Sequence, residues 1–439
     1  MVPRPSIRRR DRWRWVLWTA LAAGFLLVNF HRVSSAVLAE DLTRAFDTTG
    51  TELGLLHASF FYIYAALQLP AGLLADRLGS RRVAAVGLAT MTVGVVGFAL
   101  AGSFPAAFAA RAVVGLGGSV LYTATLRFCA NWFRDDEFAT MTGWTVAAAG
   151  LGGVLATTPL AVAVGAVGWR ETLLGAAAAG AALTAAIALV VRDRPERAGF
   201  SPVEGATPPG RSVDLATVAA NTRRLLGERE TWVLGGMLFF VTGVNFTVLG
   251  LWGVPYLVHV YDLSVARAST YVLLGNVGLI VGPPAFGALS DRLGRRTGLI
   301  LASTVAFTLA YGSVFALVRP PLALVGAVLF LALFLNGGVL LAYTVAKERH
   351  VASASGTITG TINGIGYFGA ALFPALMGVV LDAYWTGATV DGARVYTATG
   401  YRIAFGIATA AGLVATACAL WIHVRTPRSA DDRPAATGD

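Results

Sequence analysis

The chain has 439 residues, of which 56% are hydrophobic and only 13% charged, with a formal net charge of +10. At a mean hydropathy of +0.67 it holds about half the charge fraction of a soluble domain; no water-soluble fold buries so much apolar surface, whereas lipid accepts it. The basic pI does not indicate nucleic acid, because the arginines sit in short clusters between apolar runs with no basic groove or recognised module.

The first element is a basic stretch, Arg8 to Trp15, followed by an apolar run to Phe30. It could be misread as a secretory leader cleaved near Ser34–Ala36, but His31 and Arg32 interrupt that region, and the later pattern requires the segment as span one. Apolar stretches long enough to cross ~30 Å of hydrocarbon recur twelve times, at 14–38, 52–74, 83–102, 105–130, 138–163, 170–191, 231–258, 265–289, 297–318, 321–346, 353–381 and 400–423. Between spans six and seven, residues 192–230 begin with a Pro- and Gly-containing segment that cannot be regular helix. They continue as an amphipathic surface helix from about Val213 to Arg229. A long exposed loop, 382–399, precedes span twelve.

The expected organisation is an all-α membrane protein: a six-helix half over 1–191, a linker over 192–230, a second half over 231–424 and a tail over 425–439. With the termini inside, about 25 Arg and Lys residues face the cytoplasm and about 6 face outward, so the termini are expected on the cytoplasmic side of the inner membrane. Gly72-Leu-Leu-Ala-Asp76-Arg77-Leu78-Gly79-Ser-Arg81 recurs as Gly287-Ala-Leu-Ser-Asp291-Arg292-Leu293-Gly294-Arg-Arg296, at an offset of 215 residues shared by Pro159 and Pro374. A parallel repeat of two six-helix bundles follows, with a solute site between them at mid-membrane.

Several residues carry candidate chemistry. Asp76 and Asp291 sit at helix ends, where a carboxylate can accept N–H groups from a helix start in the opposite half. The expected partners are span eleven near Ser353 and span five near Phe138. Gly72 and Gly287 would permit close helix approach; the plain alternative is that these loops only set orientation. Arg32, Arg111 and Arg127 lie within spans, where an unpaired charge is costly. Arg32, placed in the outer third of span one beside Asn29, either clamps an anion or snorkels to the surface. Arg127 is either an interface anchor or a ligand, and Arg111 has a structural or coupling role. No span contains a mid-membrane acid, so His31 and His57 are the embedded groups able to titrate near neutrality, set against ordinary packing. Tyr62, Tyr122, Asn245, Trp252, Tyr256, Asn276, Asn336, Tyr343, Asn363 and Tyr367 could line a cavity, with Asn245 and Asn363 foremost because an unpaired mid-span amide is costly. Cys129 and Cys418 are placed neither for metal nor for a disulfide, and no cofactor is implied.

The repeated G-x-x-x-D-R-x-G-x-R loop resembles the signature of the major facilitator superfamily, in both places where that family carries it. Arg111-Ala-Val-Val-Gly115-Leu-Gly117-Gly118 resembles its second signature. The resemblance implies gating roles for Gly72, Asp76, Arg77, Arg81, Arg111, Gly287, Asp291, Arg292 and Arg296. Ser59-Phe-Phe-Tyr-Ile-Tyr64 with Gln68-Leu-Pro70, Asn29 with His31-Arg32, and Arg127 with Asn131-Trp132-Phe133 resemble the anion:cation symporter and organophosphate antiporter branch. That implies a monomeric, non-enzymatic secondary transporter of a small organic anion, driven by a proton, another ion or exchange. No basic residue lies near Asn245–Thr247 to match the second arginine of the organophosphate antiporters, which points to a monocarboxylate. His31 stands where the symporters commonly hold an acid. Arginines expected of nitrate carriers in spans two and eight are absent. A proton-coupled drug exporter is the nearest alternative, although span five lacks an adjacent Gly-Pro pair. A transporter-shaped sensor is another, although the sequence offers no signalling domain.

Overall fold

The structure is a computed structural model that describes residues 7–206, 215–350, 355–390 and 392–425. Among the described residues eleven helices are long and apolar enough to cross a membrane, and a bent pair, Gly50–Ala66 and Gln68–Leu78, supplies the twelfth. An even number of spans returns both termini to one face, called here the termini side; the opposite face is the far side.

Span one runs as Ile7–Val33 and, after a single turn residue, as Ser35–Phe46, well beyond the expected end at residue 38. Leu38 and Leu42 remain buried, so the apolar face continues. Asp47 then adopts φ 48° and stops the helix, its N–H bonding the Thr43 carbonyl. Span two opens with a capping box: the Thr49 hydroxyl accepts from the Glu52 N–H while the Glu52 carboxylate accepts from the Thr49 N–H. It bends by 54° at Leu67, because Pro70 offers no N–H and crowds the carbonyl four residues back.

Spans three to six follow as Ser80–Ala99, Phe104–Trp132 with a break at Ser119–Val120, Asp135–Val167 with a break at Ala156–Thr157, and Trp169–Val190. A surface helix, Leu215–Leu226, precedes span seven, which is Arg229–Thr247, a π turn at Val248–Trp252, and Gly253–Tyr261. Spans eight to twelve are Val265–Leu293, Arg296–Ala316, Leu322–Glu348 with a break at Leu340, Ser355–Ala383 and Ala398–Arg425. The segment read from the sequence as a loop before span twelve contains an antiparallel hairpin, β1 (Trp385–Val390) on β2 (Ala393–Tyr396).

The repeat is visible in the backbone. Asp47 and Asp262, 215 positions apart, are the two non-glycine residues with positive φ among those described. Thr49 and Ser264 are N-caps whose hydroxyls accept from the backbone three residues on, and Gly79 and Gly294 both turn with positive φ.

The two bundles meet where span two lies against span eleven and span five against span eight. The first seam closes to backbone contact on the far side. A Cβ on Gly54 would lie 2.7 Å from the Ala375 Cα, and one on Gly50 would lie 3.1 Å from the Gly378 carbonyl. A carboxylate locks this end. Asp382, in the last turn of span eleven, accepts from the Gly50 N–H (2.6 Å), the Thr51 N–H (2.8 Å) and the Thr51 hydroxyl (2.6 Å). The two N–H groups are donors that a helix start leaves without intrahelical partners. The termini-side ion pairs Arg14–Glu137 (2.8 Å), Asp76–Arg127 (3.3 Å), His350–Glu228 (2.8 Å), Arg296–Glu348 and Arg349–Glu230 each lie within one bundle instead.

Replacing Asp382 by Asn removes the charge from the helix start, an interaction worth ~0.3–2 kcal/mol. The far side should therefore shift toward open, by up to about thirtyfold in the closed-to-open ratio. Spin labels at Ala45 and Thr386, in a protein lacking Cys129 and Cys418, would report it as a longer distance. An unchanged distance distribution removes Asp382 from the lock.

Candidate substrate site at the centre of the bundle

The repeat partner of span one, Arg229–Tyr261, maps onto residues 14–46, whose middle is residue 30. Arg32 is thus central rather than in the outer third, because span one is longer than its apolar core suggests. Its side chain is 3% exposed. The guanidinium lies 4.6 Å from the Tyr64 ring centre, 5.2 Å from those of Phe246 and Tyr367, and 5.7 Å from that of Phe60. These rings come from spans two, seven and eleven, so both bundles build the cage. Nη1 donates to the Tyr367 hydroxyl at 3.3 Å. Nε and Nη2 are buried with no partner. Those two nitrogens form one edge of the guanidinium, the fork that grips a planar oxyanion through two parallel hydrogen bonds.

One turn toward the termini side, a polar chain crosses between the bundles. Asn363 donates to the Gln68 side-chain oxygen (2.8 Å) and accepts from the Tyr343 hydroxyl, while Gln68 donates to the Tyr64 carbonyl (3.1 Å). Behind the cage, Asn29 donates to the Ala149 carbonyl at 2.5 Å and ties span one to span five. Arg111, also buried, donates from Nη2 to the His31 carbonyl at 3.2 Å and lies over the Phe98 ring. The His31 ring stands edge-on to Phe30. His57 is 1% exposed with neither ring nitrogen hydrogen-bonded.

Other sequence candidates lie away from the cage. Tyr62 is exposed on the outer side of span two. Asn245 is occupied within its own bundle, donating to the Ala332 carbonyl (3.0 Å) and accepting from Tyr311 (3.4 Å). Arg127 pairs with Asp76 on the termini side, so in this structure Asp76 turns to its own bundle and not to span eleven. Residues 351–354, at the expected start of that span, lie outside the described residues. A Cβ added at Gly72 or Gly287 would meet nothing within 4 Å, so the close approach expected there is absent in this state. Asp291, Arg292 and Arg77 are exposed at span ends, and Arg296 pairs with Glu348.

The sequence alone does not single out Phe60, Tyr64, Phe246, Gln68, Asp382 or Asp193 as site residues. The first two are signalled by their i, i+4 spacing on the face opposite Tyr62. Asp193, just past span six, accepts from the Arg81 N–H (2.8 Å) at the start of span three and pairs with Arg197 (2.9 Å). It braces the first repeated loop.

A family model described as Major Facilitator Superfamily matches residues 18–374 and, in a second placement, 237–438. The chain belongs to the major facilitator superfamily. It is a membrane-embedded secondary transporter working by alternating access, not an enzyme. The probable sulfoacetate transporter SauU of Cupriavidus necator is 28% identical over 302 residues, spanning 66% of this chain and 68% of that protein. The membrane sensor protein UhpC of Salmonella typhimurium is 25% identical over 393 residues, spanning 85% and 87%. A bacterial homologue of the human lysosomal transporter Spinster, solved inward-facing and occupied, superposes with a TM-score of 0.74 at 18% identity, covering 94% of this chain and 97% of that one. This last likeness concerns the fold alone.

Asp76 of the first repeated loop and Asp193, which braces it, should differ in energetic weight. Asp193→Ala strips a backbone cap, worth ~0.5–2 kcal/mol, and should lower the melting temperature of the purified transporter by a few degrees. Asp76→Asn breaks a partly exposed pair, worth ~0–1 kcal/mol, and should leave it nearly unchanged. The reverse order in a thermal unfolding series would contradict this assignment.

Proposed function

We propose that this transporter carries a small organic anion, held at Arg32 between two bundles that rock about the cage. The Nε/Nη2 fork is the observation that carries the reading: a buried donor pair on a permanent cation makes no hydrogen bond of ordinary geometry, and only the neutral Tyr64 and Tyr367 hydroxyls lie near the guanidinium. Four aromatic faces around it suit a compact head flanked by carbon. One fork with no second cation in the cage fits a single anionic head, as in a monocarboxylate. The name of the SauU relative, a sulfoacetate transporter, adds a sulfonate as an alternative head, and the Gln68–Asn363–Tyr343 chain offers polar contacts to whatever group lies beyond it. A cationic drug would meet like charge at Arg32, which weighs against the exporter reading.

In this proposal the halves are residues 1–191 and 231–424, the linker 192–230 joins them on the cytoplasmic face, and the protein acts as a monomer. The arginine-rich termini side faces the cytoplasm. A sensor that binds the same anion without flux is the second reading, supported by the extent of the UhpC match.

The test is binding and flux with sulfoacetate, acetate and lactate. Arg32→Lys keeps the charge but loses the fork and should weaken anion binding about tenfold. Arg32→Gln should weaken it about a hundredfold, in line with ~1.5–3 kcal/mol for charge-assisted hydrogen bonds. Thermal shift and calorimetry measure both. Equal affinity of wild type and the Gln variant removes Arg32 from the site. Binding without uptake into proteoliposomes favours the sensor.

A further inference from the structure

His57 sits on span two, on the seam between the bundles, against the π turn of span seven. A Cβ on Gly250 would lie 3.0 Å from the imidazole Cε1 and 3.2 Å from Nε2, so the ring fills the space that this glycine leaves. π turns replace one regular hydrogen bond with looser backbone and recur at functional sites. Here the turn, Val248–Trp252, lies directly on the second helix of span one, Ser35–Phe46, and touches the first. The Phe246 backbone is the polar group next to the ring, and neither ring nitrogen makes a hydrogen bond of ordinary geometry.

Arg111 of span four is the charged side chain that acts on the ring, bringing a like charge near it, and the Arg32 backbone carbonyl of span one lies beside Gly250. The helix packed on the turn also carries Glu40, whose carboxylate faces His259 of span seven at 3.8 Å rather than His57. His31 adjoins Arg32 in the chain, and Tyr367 of span eleven bonds its guanidinium. The π turn itself contributes no titratable side chain. No carboxylate pairs with Arg32 or Arg111 among the described residues. An imidazolium at His57 would therefore be a third buried cation without a counter-charge while the far side is shut. When span seven's π turn withdraws, the ring meets water, which supplies both a proton and its solvation.

We propose that His57 is the proton site of this carrier and that far-side closure reads its charge. The ring takes a proton from water when the far side opens. The return of Gly250 and its turn returns that proton to water. If an anion occupies the Arg32 fork, its charge offsets the imidazolium and both are enclosed together, which is the linkage that symport requires; this last step rests on the anion reading of Arg32, whereas the gate linkage does not. His31, with its ring on Phe30 of its own helix, plays no part in it.

The open form binds the proton more tightly, so closure is favoured as pH rises, and the closed-to-open ratio falls by up to tenfold per pH unit below about 6.5. The experiment measures the Ala45–Thr386 spin-label distance in nanodiscs from pH 5 to 8, in bis-Tris and Tris chloride, which contain no oxyanion. Failure of the Arg32 reading therefore cannot disguise itself as failure here. Wild type and His31→Gln should open as pH falls, while His57→Gln and His57→Asn should be flat; either His57 variant that elutes as a monodisperse monomer suffices. A flat wild type, a slope that survives in a His57 variant, or a slope lost in His31→Gln would each overturn the assignment.

Discussion

A guanidinium with no carboxylate, at the centre of a hydrocarbon-embedded bundle, is the constraint to which the rest of the molecule answers. Burying such a charge costs several kcal/mol, and Arg32 recovers part of that from Tyr64, Phe60, Phe246 and Tyr367, at ~0.5–2 kcal/mol for a favourable cation–π contact. The rings belong to spans two, seven and eleven. The charge is thus fully sheltered only while the bundles are together, and any motion that parts them on the cage side trades the Phe246 and Tyr367 faces for water. Two of its nitrogens remain without acceptors even when sheltered. A bound oxyanion removes that deficit, so in the proposed function the ligand favours enclosure and an empty cage resists it.

The molecule is built as a repeat but charged as if it were not. Both buried arginines lie in the first half; the positions 215 residues on from Arg32 and Arg111 are Thr247 and Gly326. The second half supplies rings, amides and glycines, that is, surfaces that can slide past a charge without having to desolvate one of their own. The far-side lock is equally one-sided. The repeat equivalent of Asp382 is Val167, and the span five–span eight seam meets through Thr158 and Thr270 hydroxyls 3.2 Å apart, without a carboxylate. Two seams related by symmetry therefore have unequal strength, and the acid-capped one bears Tyr64, Tyr367, Gln68 and Asn363.

The architecture is legible in the sequence because lipid imposes it: only long apolar helices survive there, and a repeated loop at fixed offset gives the two bundles. Arg32 stands out for the same reason, as a charge where charge is expensive. What escapes is whatever depends on rotation about a helix axis. Tyr62 and Tyr64 look alike in a sequence, yet the first faces outward and the second caps the cage. Asn245 and Asn363 are both mid-span amides, but only Asn363 crosses the seam, while Asn245 finds partners inside its bundle. Span lengths are underestimated because polar caps such as Asp47 and Thr49 lie beyond the apolar run and carry no hydropathy signal. Asp382 is hidden as a loop residue, since nothing in its neighbourhood names a helix start more than three hundred positions away.

Span two shows how these pieces can act together. Pro70 breaks it at Leu67 into two helices with different polar anchors. The far-side piece carries Gly50, His57, Phe60 and Tyr64 and is fastened to span eleven by the Asp382 cap. The termini-side piece carries Asp76, which pairs with Arg127 of its own bundle. Gln68, at the bend, holds Asn363 across the seam. Each piece thus touches both bundles, Phe60 lying against Gly115 of span four and Leu69 against Gly360 of span eleven, with the cage just on the far side of the joint. Releasing the cap would let the far-side piece part from span eleven by hinging at the bend, which already lacks the regular hydrogen bond that a straight helix would have to break. The proline that looks like a defect in a spanning helix is what lets the far-side piece change its angle to the termini-side piece.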